Sequence, residues 1–225
     1  MTPSRSTLLI LTAGLALSVP GVASAQVPDL GGMARGLLGG SSGAASQDPD
    51  IFLGEALDAT KQMMVAAAVL AQMSRNKNDM AAISERVNAI QNVSEAGDLG
   101  AYNASFEEDI AALQTNASDA SELQAIYDSA NRRQKELMLS ASLNFARAVI
   151  LDGQLAQQFP AMLGSMARNP RHWNKVGHAR PLGSMINAQW NAGRSMWDPV
   201  TALLRSQNVA VPSEASLGEA RTISL

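Results

Sequence analysis

The chain has no cysteine in its 225 residues. That absence excludes disulfide scaffolds, Cys-ligated zinc, iron–sulfur clusters and thiol catalysis, and it leaves no residue to carry a lipoprotein anchor. Aromatic residues make up only 4%, and the histidines number two, His172 and His178. Charged residues are sparse at 16% with a formal net charge of -3, which lacks the cationic footprint of a general nucleic-acid binder. Long apolar runs are missing after the N-terminus. The most apolar stretch, Met63 to Met73, is eleven residues flanked by Lys61 and Arg75, too short for a membrane span and typical of a buried helix. Nor does any run before position 208 alternate β-branched and polar residues as a strand does. What is there in quantity is apolar mass: 46% hydrophobic residues are ample for a packed core and exclude disorder throughout.

The first residues read as an export signal. Arg5 gives a positive start, Leu8 to Leu17 an apolar segment, Pro20-Gly21 a break, and Ala23-Ser24-Ala25 the small-x-small pattern of a signal-peptidase site. Residues 1–25 are therefore expected to be a signal peptide cleaved after Ala25, delivering the chain to a bacterial periplasm or to the secreted fraction. Three N-x-S sequons, at Asn92, Asn103 and Asn116, read as chance in an Asn- and Ser-rich bacterial chain. Residues 26–47, with glycine at 31, 32, 36, 39, 40 and 43, read as a flexible leader.

From position 48 the pattern is helical. Asp48-Pro49 is an N-cap followed by a first-turn proline, opening a helix to about Arg75 that is apolar on nearly every face from Met63 to Leu70 and so belongs at the middle of a bundle. Met80, Ile83, Val87 and Ile90 make one stripe. Ser94 to Tyr102 is expected to be a connection, Ser105-x-x-Glu108 a capping box, and Asp119-x-x-Glu122 a second start signal. The helix beginning there is expected to run some forty residues, with Pro160 kinking or ending it near Phe159 and Asn169-Pro170 stopping the last turn or two beyond. Residues 170 to 182, rich in Arg, Lys, His, Pro and Gly, read as a loop. Ile186, Trp190, Gly193 and Trp197 share a face, and Asp198-Pro199 reads as the start of a short helix to about Ser206. The expected fold is all-α: a single irregular bundle of four to six helices over residues 48–207, between the Gly-rich leader and an extended tail, 208–225.

Catalytic signatures are thin. A serine triad needs a histidine between hydroxyl and carboxylate, and an all-α reading supplies no strand-to-helix turn for the nucleophile elbow of the G-x-S-x-G type. None of the nine glutamates has a histidine three residues later, as a bundle di-iron site requires. Asp48-x-Asp50 opens like a calcium loop, but its sixth position is Leu53 and its twelfth Ala59. Methionines such as Met63, Met64, Met162 and Met166 read as core filler rather than copper ligands. Glu107-Glu108-Asp109 is the densest carboxylate group, explained there by attraction to a helix start. No cofactor is expected.

Charge is distributed unevenly along the chain. Residues 48 to 128 hold fourteen acids and four bases, whereas residues 168 to 205 hold six bases and one acid, together with all three tryptophans. Trp and Arg dominate binding hot spots because each offers large contact area with a polar handle. The expected contact surface is accordingly Arg171, His172, Trp173, Lys175, His178, Arg180, Trp190, Arg194 and Trp197. Its expected partners are another protein, a second copy of this chain, or an anionic envelope component. The sequence thus points to a non-enzymatic exported binding, adaptor or assembly-accessory protein. The alternatives it leaves are an envelope hydrolase acting through two carboxylates and a carrier of small apolar ligands in the bundle interior.

Overall fold

A computed structural model describes residues 48–75 and 80–225. The expected signal peptide and leader lie outside the described residues. Within them the fold is all-α and bundle-like, with seven α-helices, two 3₁₀ helices and no named strand.

Helix α1, Pro49–Ser74, begins as its sequence dictates: the Asp48 side chain accepts from Asp50 N (2.8 Å) and Pro49 fills the first turn, where an N–H has no intrahelical partner. From Met63 to Ser74 every residue is buried. Helix α2, Ala81–Gln91, buries its expected stripe of Ile83, Val87 and Ile90. The connection after it is a 3₁₀ helix, Ala96–Tyr102, which leads straight into α3, Asn103–Asn116. The expected capping box is therefore not formed, because Ser105 already lies inside the first turn of α3. Asp119 does cap α4, Ala120–Ser129, accepting from Ser121 N and Glu122 N, while the Glu122 carboxylate reaches back to Ser118 N.

The forty-residue helix is two helices. Ala130 is extended, and Asn131 and Gln134 form a reciprocal capping box that starts α5, Arg132–Arg168. Helix α5 does not end at Pro160. The proline sits on an exposed face, while Phe159, Met162 and Met166 keep the other face buried. The expected loop at 170–182 is likewise helix: Pro170–His172 is a 3₁₀ turn, and α6 runs Trp173–Ser195 with Pro181 inside it. The reason is tertiary. Ala179, Leu182, Gly183 and Ile186 form a buried face that outweighs the one hydrogen bond Pro181 removes, and the freed carbonyl belongs to exposed Gly177. Helix α7, Trp197–Ser206, starts one residue before Asp198, and no side chain caps it. Asn208, in the left-handed region (φ 55°), ends it: its N–H bonds Arg205 O and the Val209 N–H bonds Leu204 O, a Schellman closure.

Three long helices carry the bundle. Helix α1 runs antiparallel to α5, with Phe52 edge-on to Phe159 at 5.2 Å, and parallel to α6, where Gln189 Nε2 donates to Thr60 O (3.4 Å). Helices α5 and α6 approach closely because glycine supplies the room: a Cβ on Gly183 would lie 2.8 Å from the Phe159 ring, and one on Gly193 would lie 2.6 Å from Val149. Helices α2 and α3 pack on α1, and α4 packs on α7.

The extended tail folds back on the bundle. Asn144 brackets Arg221 with two hydrogen bonds, Nδ2 to the carbonyl (2.7 Å) and Oδ1 from the N–H (2.8 Å). Arg147 donates to the carbonyls of Leu217 and Gly218, and Leu217 and Ile223 are buried. No helix among the described residues is long and apolar enough to cross a membrane.

Candidate functional site

The nine residues expected to form one surface occupy two places. With 170–182 helical, Trp173 and Trp190 are seventeen residues apart on one rod, about 25 Å along its axis.

The first place is the pole of the bundle where α5 ends and α6 begins. Asn169 turns the chain there, its side chain accepting from Arg171 N (3.1 Å). Trp173 opens α6, and its indole N–H donates to Ala167 O (2.9 Å), fixing the ring with 62% of the residue exposed. Arg180 lies seven residues on, two turns along the same exposed face. Arg171 and His178 are exposed as well, and neither they nor Arg180 joins an ion pair among the described residues. Lys175 is different: its Nζ meets Asp50 Oδ1 at 2.6 Å, tying the start of α6 to the start of α1. His172 is half-buried, with an Nδ1 that has no hydrogen-bond partner. Among the described residues no three His, Asp or Glu side chains gather as a metal site would require.

The second place is a cleft of about 510 Å³ between α5, α6, the start of α7 and the tail. Trp190 and Trp197, both half-buried, line it with Arg194, Gln157, Asp198 and Glu214. Trp190 rests on Gly153, where a Cβ would come within 2.8 Å of the ring, and the Arg194 guanidinium lies 5.4 Å from the indole centroid. The indole is therefore packed on one side and covered by a cation–π contact.

Comparison with known protein families, curated proteins and solved structures gives no match. The chemistry must be read from the residues.

Catalysis by paired carboxylates needs one acid with raised proton affinity facing a second across a cleft. The structure keeps these conditions apart. Asp198 and Glu214 share the tryptophan cleft, but both are exposed. Asp58, raised by burial against the pull of Lys61, lines a different cleft whose other charged members are Lys61 and Arg221. Asp152 is fully buried, and burial alone raises it well above the ordinary carboxylate value, yet neither of its oxygens has a partner. Asp109, expected to serve a helix start, lies in the second turn of α3 instead. It accepts from Arg75 (3.1 Å) and Arg86 (2.9 Å), joining the end of α1 to α2 and α3; burial pushes its carboxyl up while the two guanidiniums oppose that. Two groups carried no signal in the sequence. One is Ile51, whose exposure follows from where α1 begins. The other is Gln189, 1% exposed with a free Oε1, lining an apolar groove between α3, α6 and the 3₁₀ helix.

Proposed function

We propose that this chain is a non-enzymatic binding protein of the bacterial cell envelope, exported and processed after Ala25, which meets its partner at the pole where α6 begins. Export is supported by the Arg5, Leu8–Leu17 and Ala23-Ser24-Ala25 pattern. The contact surface is supported by one observation above the rest. Trp173, its N–H already bonded, presents an exposed ring beside exposed Arg171, His178 and Arg180, which no acid neutralises among the described residues. Exposed Trp together with unpaired Arg is the combination most enriched at binding hot spots. Trp190, Arg194 and Trp197 form a separate cleft and are not needed for this contact. The test is recovery of partners from envelope extract by the exported chain and by a Trp173→Ala/Arg180→Gln variant. The variant is expected to lose recovery while keeping its helical circular dichroism; equal recovery from a folded variant removes the surface.

A second reading, carriage of a small apolar ligand, is favoured by the groove of about 510 Å³ lined by Ala96, Phe106, Ile110, Met185 and Ala188. Gln189 Oε1 would accept from a single hydroxyl or amide on such a ligand. Native mass spectrometry that finds only bare protein after export counts against it.

A further inference from the structure

We infer that the pole is a site for an anionic phospholipid bilayer, with Trp173 and Ile51 entering the interface and Arg168, Arg171 and Arg180 lying over the headgroup phosphates. This rests on the contact surface proposed for the pole and names the chemistry of its partner.

Among the described residues only two large apolar side chains are mostly outside, Ile51 at 56% and Trp173 at 62%. They are distant in sequence, yet each sits in the first turn of a long helix, and those two helices are parallel. The Lys175–Asp50 contact at 2.6 Å joins the two starts directly, so Ile51 and Trp173 lie toward the same end of the bundle. Neither residue lines the tryptophan cleft, the apolar groove or the cleft at Asp58. A broad, yielding surface accepts two exposed apolar side chains at once.

Charge selects the kind of surface. Lys175 and Asp50 cancel each other, and Asp48 is occupied as the cap of α1. The remaining cations, Arg168 at the end of α5, Arg171 in the turn and Arg180 on the face of Trp173, are all exposed and outnumber the acid. Each guanidinium near an anionic leaflet raises partitioning about fivefold. An indole whose N–H is already bonded enters the headgroup boundary without leaving a donor unmet. Two apolar side chains and a few guanidinium groups make a shallow, reversible contact.

The test is flotation of the exported chain with phosphatidylglycerol-containing vesicles and with pure phosphatidylcholine vesicles, at low and high salt. All variants keep the same N-terminus, so residues before Asp48 contribute equally. The wild type is expected to float with anionic vesicles at low salt and to be released by high salt. Trp173→Ala combined with Ile51→Ser is expected to weaken flotation by on the order of tenfold. Arg171→Gln combined with Arg180→Gln is expected to remove most of the salt-sensitive part, with melting temperature checked for each variant. Failure of the wild type to float, or flotation that ignores both pairs of substitutions, overturns the inference. If vesicles fail but Trp173→Ala/Arg180→Gln still loses partners from delipidated extract, the bilayer is excluded and the pole remains a protein-docking surface.

Discussion

Asp152 concentrates the cost of this fold in one side chain. It is fully buried in α5 with neither oxygen hydrogen-bonded, at the height where Gln189 reaches Thr60 and where Trp190 rests on the neighbouring Gly153. Burial raises its proton affinity in the folded state. The folded chain therefore binds a proton more tightly than the unfolded chain does. Stability linked to Asp152 is fully present below the unfolded carboxylate value of about 4 and is lost as pH rises from there through the folded pKa. Asp152→Asn removes that linkage. The variant is expected to gain stability relative to wild type as pH rises from the acid range to neutrality, with the two converging in acid. Urea midpoints across that range check this, and parallel curves would show that Asp152 keeps its proton affinity unshifted. Nothing in the sequence marked this residue, because an aspartate in a long helical pattern reads as solvent-facing until its neighbours are known. Trp173 was legible as a candidate, since an indole beside Arg171 stands out by composition; its exposure is a property of the α5–α6 turn.

At the scale of elements, the legible features obeyed local rules. The Asp48-Pro49 start of α1 and the stripe of α2 are written in capping chemistry and period. The break at Ala130–Asn131 was not, because the apolar pattern continues across it and only the reciprocal bonds of Asn131 and Gln134 end one helix and begin the next. Helix α6 hid behind its composition. Pro181 argues against a helix locally, while contact with α1 and α5 decides for one. Pro181→Ala restores an N–H on an exposed face and is expected to stabilise the protein by about 1–3 kcal/mol, read from urea midpoints; destabilisation would show that the ring itself holds the helix. Asn144→Ala breaks both bonds to Arg221 and is expected to cost about 1–3 kcal/mol, with faster amide exchange confined to the tail. Faster exchange throughout α5 instead would mean that Asn144 supports the helix rather than the docked tail.

At the scale of the molecule, the apolar residues fall into two clusters. One is centred on Met63–Met73 with Leu137–Val149; the other joins Phe52, Ala56 and Ala59 to Leu151–Met166 and the first half of α6. The uneven charge along the chain was legible in sequence, but its division between a pole and a distant cleft was not, since a loop and a helix place the same residues differently. The clusters share their walls: α1, α5 and α6 each contribute to both, and the tail sends Leu217 into one and Ile223 into the other. Neither cluster can open without freeing part of every long helix, and the halves of α1 and α6, about 12 residues each, are marginal by themselves in water. Unfolding is therefore expected to be a single transition, with helical circular dichroism and the fluorescence of the half-buried Trp190 and Trp197 coinciding in urea. Deleting residues 208–225 uncovers both clusters together, so it is expected to lower the midpoint while the two signals still coincide. Signals that separate after the deletion would show that the tail, and not the shared helices, couples the two halves.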